Sequence, residues 1–270
     1  MCLILLAYEA HPAFRLVLAA NRDEFYTRPS AAAHFWPDAA GVLAGRDLER
    51  GGTWLGVTRA GRIAAVTNYR EPGREQHDAP SRGALVAAYL QGDERPGAYL
   101  AALAWQAAEF NGFNLLVGTP RALYYYSNRG ASEPQRLKPG VHGLSNHLLD
   151  TPWPKVARGQ AALERLLAAE RTPDVKSLTE GLFSILAERA QGPDELLPQT
   201  GVGLELERVL SSAFITSPTY GTRSSTVLLI ARSERVTFIE RTFTTGAHAP
   251  HEVVYQFEVQ TICASPPGGK

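Results

Sequence analysis

The first twenty-five residues constrain this chain more than any others. Two apolar runs of strand length, Leu3-Ile4-Leu5-Leu6-Ala7-Tyr8 and Phe14-Arg15-Leu16-Val17-Leu18-Ala19-Ala20, flank His11-Pro12-Ala13. That spacing predicts a hairpin, and a hairpin brings the end of its second strand back to the start of its first. The tetrad Asn21-Arg22-Asp23-Glu24, followed by Phe25, is thereby set beside Cys2. A cysteine directly behind the initiator methionine becomes the N-terminal residue once Met1 is trimmed. It then combines a thiol with an α-amine that titrates near pH 8, against roughly 8.5 for the thiol, so one residue supplies both nucleophile and general base. On position alone Cys2 reads first as an incidental buried thiol; the rest of the chain changes that reading.

The tetrad is the first of five blocks, in order, by which the chain is identified as a member of the NRDE family, whose eukaryotic members are called transport and Golgi organization protein 2. The others are Gly51-Gly52-Thr53-Trp54-Leu55-Gly56-Val57, Val66-Thr67-Asn68-Tyr69-Arg70, Gly143-Leu144-Ser145-Asn146 with Pro152-Trp153-Pro154-Lys155, and Tyr220-Gly221-Thr222-Arg223-Ser224-Ser225-Thr226. The chain also resembles the N-terminal nucleophile hydrolases of the bile-salt hydrolase and penicillin V acylase type. That resemblance implies an α+β fold, a four-layer αββα sandwich of two antiparallel sheets between helix layers. It further implies Cys2 as nucleophile, Asp23 as holder of the α-amine, Asn68 as oxyanion donor, Asn146 as second asparagine and Arg223 as the pocket arginine, with Asn21, Arg22, Glu24 and Tyr69 at the pocket border. In one respect the chain departs from the hydrolase pattern: Arg22 immediately precedes Asp23. Neighbours on a strand point to opposite faces, so both reach the thiol only if the strand ends or bulges there, and Glu24 then competes with Asp23 for its role.

These residue types suit amide or thioester chemistry. An attacked carbonyl develops negative charge on oxygen, and an Asn amide with a backbone N–H binds that charge without proton transfer; one such donor is worth on the order of 3 kcal/mol. Arg22 or Arg223 near the thiol favours thiolate, whereas a carboxylate holds the ammonium and disfavours it. Arg70 and Glu71 read better as members of structural ion pairs.

Composition narrows the function classes. The 270 residues, 44% hydrophobic and 20% charged, can bury a large core, and no Pro/Gly/Ser linker divides them, so the reading is one domain over 1–270. Net charge is zero with a pI near 7.1, which gives no global field toward nucleic acid or anionic membranes. The N-terminal apolar stretch is interrupted by Glu9, His11 and Arg15 and lacks a basic flank, which argues against a signal peptide or membrane span and for the cytoplasm. Two cysteines, Cys2 and Cys263, make no disulfide framework. The seven histidines contain no pair at helical ligand spacing, so no metal site is expected, and hydrolysis of this kind requires no cofactor. Gly51-Gly52 precedes no helix of the phosphate-loop type.

Beyond the hairpin, strands are predicted over Thr53–Thr58, Arg62–Thr67, Phe113–Gly118, Ala122–Ser127, Thr226–Arg232, Arg235–Arg241 and Val253–Thr261. Helices are predicted over Ser81–Gln91, Ala98–Phe110, Lys155–Glu170, Val175–Arg189 and Leu204–Ser212. Two function classes follow. One is a hydrolase or acyltransferase acting on a small-molecule amide, ester or thioester. The other, implied by what is known of the NRDE family, is a non-catalytic carrier of haem, acyl-CoA or lipid.

Overall fold

The computed structural model describes residues 2–169, 174–244 and 249–260. Its strands form two antiparallel sheets. The first holds, in spatial order, β10 (Gly140–Leu144), β1 (Cys2–Tyr8), β2 (Phe14–Phe25), β11 (Tyr220–Ala231), β12 (Arg235–Thr242) and β13 (His251–Glu258). The second runs β3 (Ser30–Trp36), β4 (Ala39–Asp47), β5 (Leu55–Thr58), β6 (Ile63–Asn68), β7 (Phe113–Thr119), β8 (Ala122–Ser127) and β9 (Gln135–Arg136). Helices α1 (Arg82–Gln91) and α2 (Pro96–Ala104) cover the outer face of the second sheet, and α3 (Pro154–Ala169) and α4 (Val175–Leu186) that of the first, while the short α5 (Leu204–Leu210) leads into β11. This is the expected four-layer αββα sandwich.

Each layer boundary is an apolar cluster that follows strand alternation. On β1, Ile4, Leu6 and Tyr8 enter the core between the sheets, and Leu3, Leu5 and Ala7 pack under α3 and α4. A strand buried on both faces is apolar at every position, which is why β1 reads as an unbroken run. The edge strand β13 instead alternates, with Val253, Tyr255 and Phe257 inward and Glu252, Val254, Gln256 and Glu258 outward. Among the described residues no helix is long and apolar enough to cross a membrane.

The structure corrects several boundaries. β3 and β4 were not foreseen: alanines and glycine dominate them, and these residues carry little strand propensity. β10 lies in a Gly-containing motif and is a strand because it pairs with β1. The helix expected over Ala98–Phe110 stops at Ala104 and continues only as a 3-10 turn over Ala107–Glu109. α4 ends at Leu186 and α5 at Leu210, each one turn or less before the predicted end. Glu170, His248, Thr261 and Cys263 lie outside the described residues.

Candidate active site

Alternation also distributes the tetrad. On β2, Leu16, Leu18 and Ala20 face the inter-sheet core, and Val17 and Ala19 face the helices. Arg22 continues the first set and pairs in register with Cys2. Asn21 and Asp23 continue the second. Asn21 is fully buried there: its Nδ2 donates to the carbonyls of Leu186 and Ala213, both at 2.8 Å, and its Oδ1 accepts from Ser225 Oγ at 2.6 Å. Asp23 Oδ1 accepts from Thr222 Oγ1 at 2.7 Å, and its carbonyl from the Tyr220 hydroxyl at 2.9 Å. β2 neither ends nor bulges at Asp23. The irregularity sits on β11, where the register shifts between Thr222 and Ser224. The intervening Arg223 turns its Nη1 to the carbonyls of Phe25, Tyr26 and Arg28 at 2.9, 3.0 and 3.2 Å.

At this end the sandwich opens into a cavity of about 250 Å³. Cys2, Arg22, Asp23, Glu24 and Arg223 line it from the first sheet, Asn68 from the end of β6, and Arg82 from the start of α1. The Gly-Gly motif explains how α1 comes so near. Gly51 adopts a left-handed φ of +73°, and a Cβ on Gly52 would lie 2.5 Å from the Gly83 backbone, so only glycine lets the helix start dock there. These glycines admit a neighbouring helix rather than a ligand.

Three expected pocket residues do not line the cavity. Asn21 is committed to the helix side, as described. The Tyr69 ring packs against His147, 4.9 Å between centroids. Asn146 is fully buried behind the wall: its Nδ2 donates to the Asn68 carbonyl at 3.0 Å, and its own carbonyl accepts the Arg70 N–H at 2.7 Å. Ser145 Oγ donates to the Cys2 carbonyl at 2.9 Å, and Thr67 Oγ1 to the Ser145 carbonyl at 2.6 Å. Ser145 and Asn146 therefore tie the Cys2 strand to the Asn68 strand. Arg70 and Glu71 do form ion pairs, but with Glu207 and Arg129, each at 2.6 Å.

The sequence profile described as Transport and Golgi organisation 2 matches residues 1–245. The chain belongs to this family. Its relatives include a Transport and Golgi organization 2 homolog of Mus musculus, 37% identical over 97% of this chain and all of that protein. The Homo sapiens Transport and Golgi organization protein 2 homolog is 38% identical over the same shares. Among solved structures, a mutant and a variant of conjugated bile acid hydrolase from Clostridium perfringens superpose with TM-scores of 0.50 and 0.52. They cover 100% and 98% of this chain and 100% and 99% of theirs, at 8% and 7% identity, and so show a shared fold.

Burial dominates the electrostatics of the site in this member of the Transport and Golgi organisation 2 family. Cys2 is 8% exposed, and burial pushes its thiol up from the ordinary value. Arg22 and a hydrogen bond with the Asp23 backbone pull it down and the Asp23 charge pushes it up, the directions expected of an arginine and a carboxylate, but burial outweighs the lowering groups. Burial likewise raises the Asp23 carboxyl, and Lys155 works against the rise. Lys155 opens the second turn-forming position of α3, is 2% exposed, and its Nζ finds no hydrogen-bond partner among the described residues. Burial brings its pKa down to about 8, with the charge of Asp23 opposing. Glu240, a buried carboxylate on the cavity wall, is raised by burial and accepts from the Ala33 N–H at 2.7 Å.

Sequence reasoning assigned no role to Lys155, Arg82 or Glu240. Lys155 stood inside the Pro-Trp-Pro-Lys block, and a lysine at a helix start amid apolar residues was the available signal. Arg82 and Glu240 carried none, because tertiary approach alone brings them to the cavity. Among the described residues no cluster of three or more His, Cys, Asp or Glu is arranged to hold a metal ion.

Proposed function

We propose that this chain, once Met1 is removed, is an N-terminal nucleophile enzyme that cleaves or transfers an acyl group from a small-molecule amide or thioester. The observation that carries the reading is the meeting of Cys2, Asp23, Asn68 and Arg223, from four different strands, at one cavity. The Cys2 thiol adds to the substrate carbonyl while its proton passes to the Cys2 α-amine, and the Asn68 amide binds the oxygen that becomes anionic. Asp23 holds the resulting ammonium. Collapse of the tetrahedral adduct breaks the bond to the leaving amine or thiol, which takes that proton back and leaves a thioester on Cys2. Water or an acceptor amine then attacks the thioester with the α-amine again as base, releasing the acyl product and restoring the thiol. A buried neutral thiol suits this route, because proton transfer accompanies attack and no preformed thiolate is needed. The reducing cytoplasm would keep Cys2 free.

The test is intact mass followed by labelling. The mature protein should lack Met1, and an amide-directed electrophile should modify Cys2 well ahead of Cys263. A protein that retains Met1, with Cys2 no more reactive than Cys263, sinks the reading.

A second reading, ligand carriage without turnover, draws support from the raised thiol pKa, since burial alone leaves Cys2 a poor nucleophile. Haem or acyl-CoA, the ligands that the family resemblance implies, would be its cargo. At about 250 Å³ the cavity is below the roughly 300–1,000 Å³ of pockets that enclose drug-sized ligands, so either cargo would extend into solvent. Saturable binding of haem or a long-chain acyl-CoA that survives Cys2→Ala would favour it; no binding of either would remove it.

A further inference from the structure

The cavity wall holds more guanidinium charge than its carboxylates engage. Six arginines line it: Arg22, Arg28, Arg46, Arg50, Arg82 and Arg223. Two have carboxylates at hydrogen-bond distance: Arg28 bonds Asp47 at 2.7 Å through Nη2, and Arg46 bonds Asp38 through both terminal nitrogens. Arg50 and Arg22 stand in looser ion pairs, 4.0 Å from Glu49 and 3.8 Å from Glu24. Arg82 and Arg223 have no ion pair within 4.0 Å among the described residues. Arg82 donates through Nη1 to the Gly112 carbonyl at 3.1 Å. Arg223 is fastened through one nitrogen to three backbone carbonyls. The buried Nη1 of Arg22 has no hydrogen-bond partner among the described residues.

Arg82 and Arg223 are held by backbone carbonyls, and Arg22 keeps a buried N–H group unspent. Burial depresses the pKa of both Arg82 and Arg223. Glu240, the buried carboxylate of the wall, is shifted toward its neutral form and is already bonded to Ala33, so it does not supply the missing charge. A buried guanidinium nitrogen without a partner is costly, and Arg22 Nη1, with the half-buried Arg82 and Arg223 beside it and without ion pairs of their own, favours an anion that completes them.

We propose that the ligand of this cavity carries a carboxylate or phosphate group, seated between Arg22, Arg82 and Arg223 beside Cys2. The assignment rests on the cavity being the reaction site and names its substrate class: small amides or thioesters with an acidic group near the scissile bond. Guanidinium forks suit this work because they offer paired donors in the plane of a carboxylate or phosphate. The group would also fix the register of the substrate, setting its carbonyl between Cys2 and Asn68.

The probes are benzoate, phenyl phosphate and the neutral isostere benzamide, titrated calorimetrically into wild-type protein and into Cys2→Ala at low ionic strength. At least one anion should bind about tenfold or more tighter than benzamide, equally in both proteins, and should weaken as salt is raised. Benzoate alone identifies a carboxylate, phenyl phosphate alone a phosphate, and both a general anion seat. Arg82→Gln should lose about tenfold in affinity while Arg82→Lys keeps most of it. The salt series needs no variant, so it decides the matter even if Arg82→Gln does not fold. Benzamide binding as well as the anions, no anion binding, or anion affinity indifferent to salt overturns the proposal. Because Cys2→Ala cannot turn over, anion binding stands or falls separately from catalysis: a silent enzyme with an anion seat keeps this inference, and turnover with no charge preference discards it.

Discussion

The space between the two sheets has a middle and an end, built from the same strands and very different in kind. In the middle, Ile4, Leu6, Leu18, Leu43 and Leu55 close a core of apolar side chains. At the end, those strands finish in Cys2, Arg22, Glu24 and Asn68, and the core gives way to a charged cavity. Continuing the apolar pattern would be more stable, since every buried charge carries a desolvation cost. The change of chemistry within a single strand therefore separates a region built for folding from the cavity assigned above to a ligand.

If that division is real, substitutions at the two places should fail differently. Cys2→Ala should abolish turnover of amide or thioester substrates while thermal unfolding stays within about 1 kcal/mol of wild type, because a strand-end thiol packs little; a residual rate would move the nucleophile elsewhere. Leu18→Ala, four pairs up the same hairpin, should cost about 2–5 kcal/mol of stability by urea unfolding and leave the rate per folded molecule unchanged. Asn68→Ala should lower kcat by on the order of a hundredfold, about 3 kcal/mol of transition-state stabilisation, with little effect on KM. Equal loss in KM would recast Asn68 as a binding group.

Lys155 tests the boundary by pH. Its folded pKa, about 8, lies below the ordinary 10.5 of an unfolded chain. Between those values the unfolded state holds a proton that the folded state lacks, so stability should rise with pH through that window, by at most about 3 kcal/mol. Buried tyrosines such as Tyr89 and Tyr99, raised to about 12, pull the other way above pH 10, so the quantity to measure is wild type minus Lys155→Met. A flat difference would mean that Lys155 reaches water. The smallest effect belongs far from both regions: Arg121→Ala, which removes an exposed ion pair with Glu234, should change stability by less than about 0.5 kcal/mol.

The sequence carried the fold through what strands and helices show locally. The apolar run of β1, the strand pair over 53–58 and 62–67 and the helical stretches of α3 and α4 were legible because each is a property of a short segment. β3 and β4 were not, since Ala-rich strands become strands only by pairing. At the site, the alternation rule correctly raised the conflict between Arg22 and Asp23. The resolution was invisible, because the irregularity lies on β11, some two hundred residues on. Asn146 faces away from the cavity for a similar reason: its partner, the Asn68 carbonyl, is a tertiary neighbour with no trace in local pattern. Tyr69 was drawn in by adjacency to Asn68, and its packing on His147 could not be read from spacing.

The place of β1 in its sheet also sets an order of events during synthesis. Cys2 is made well before part of its surroundings: the strand on the other side of β1 from β2 comes from residues 140–144, and Arg223, Ser224, Glu240 and Thr242 of the cavity wall come from β11 and β12. At about 5–20 residues per second, an interval on the order of ten seconds separates the thiol from its enclosure. In that interval the thiol is uncovered; in the finished fold Cys2 is 8% exposed. An affinity tag fused ahead of Cys2 would have to leave the sandwich beside the cavity.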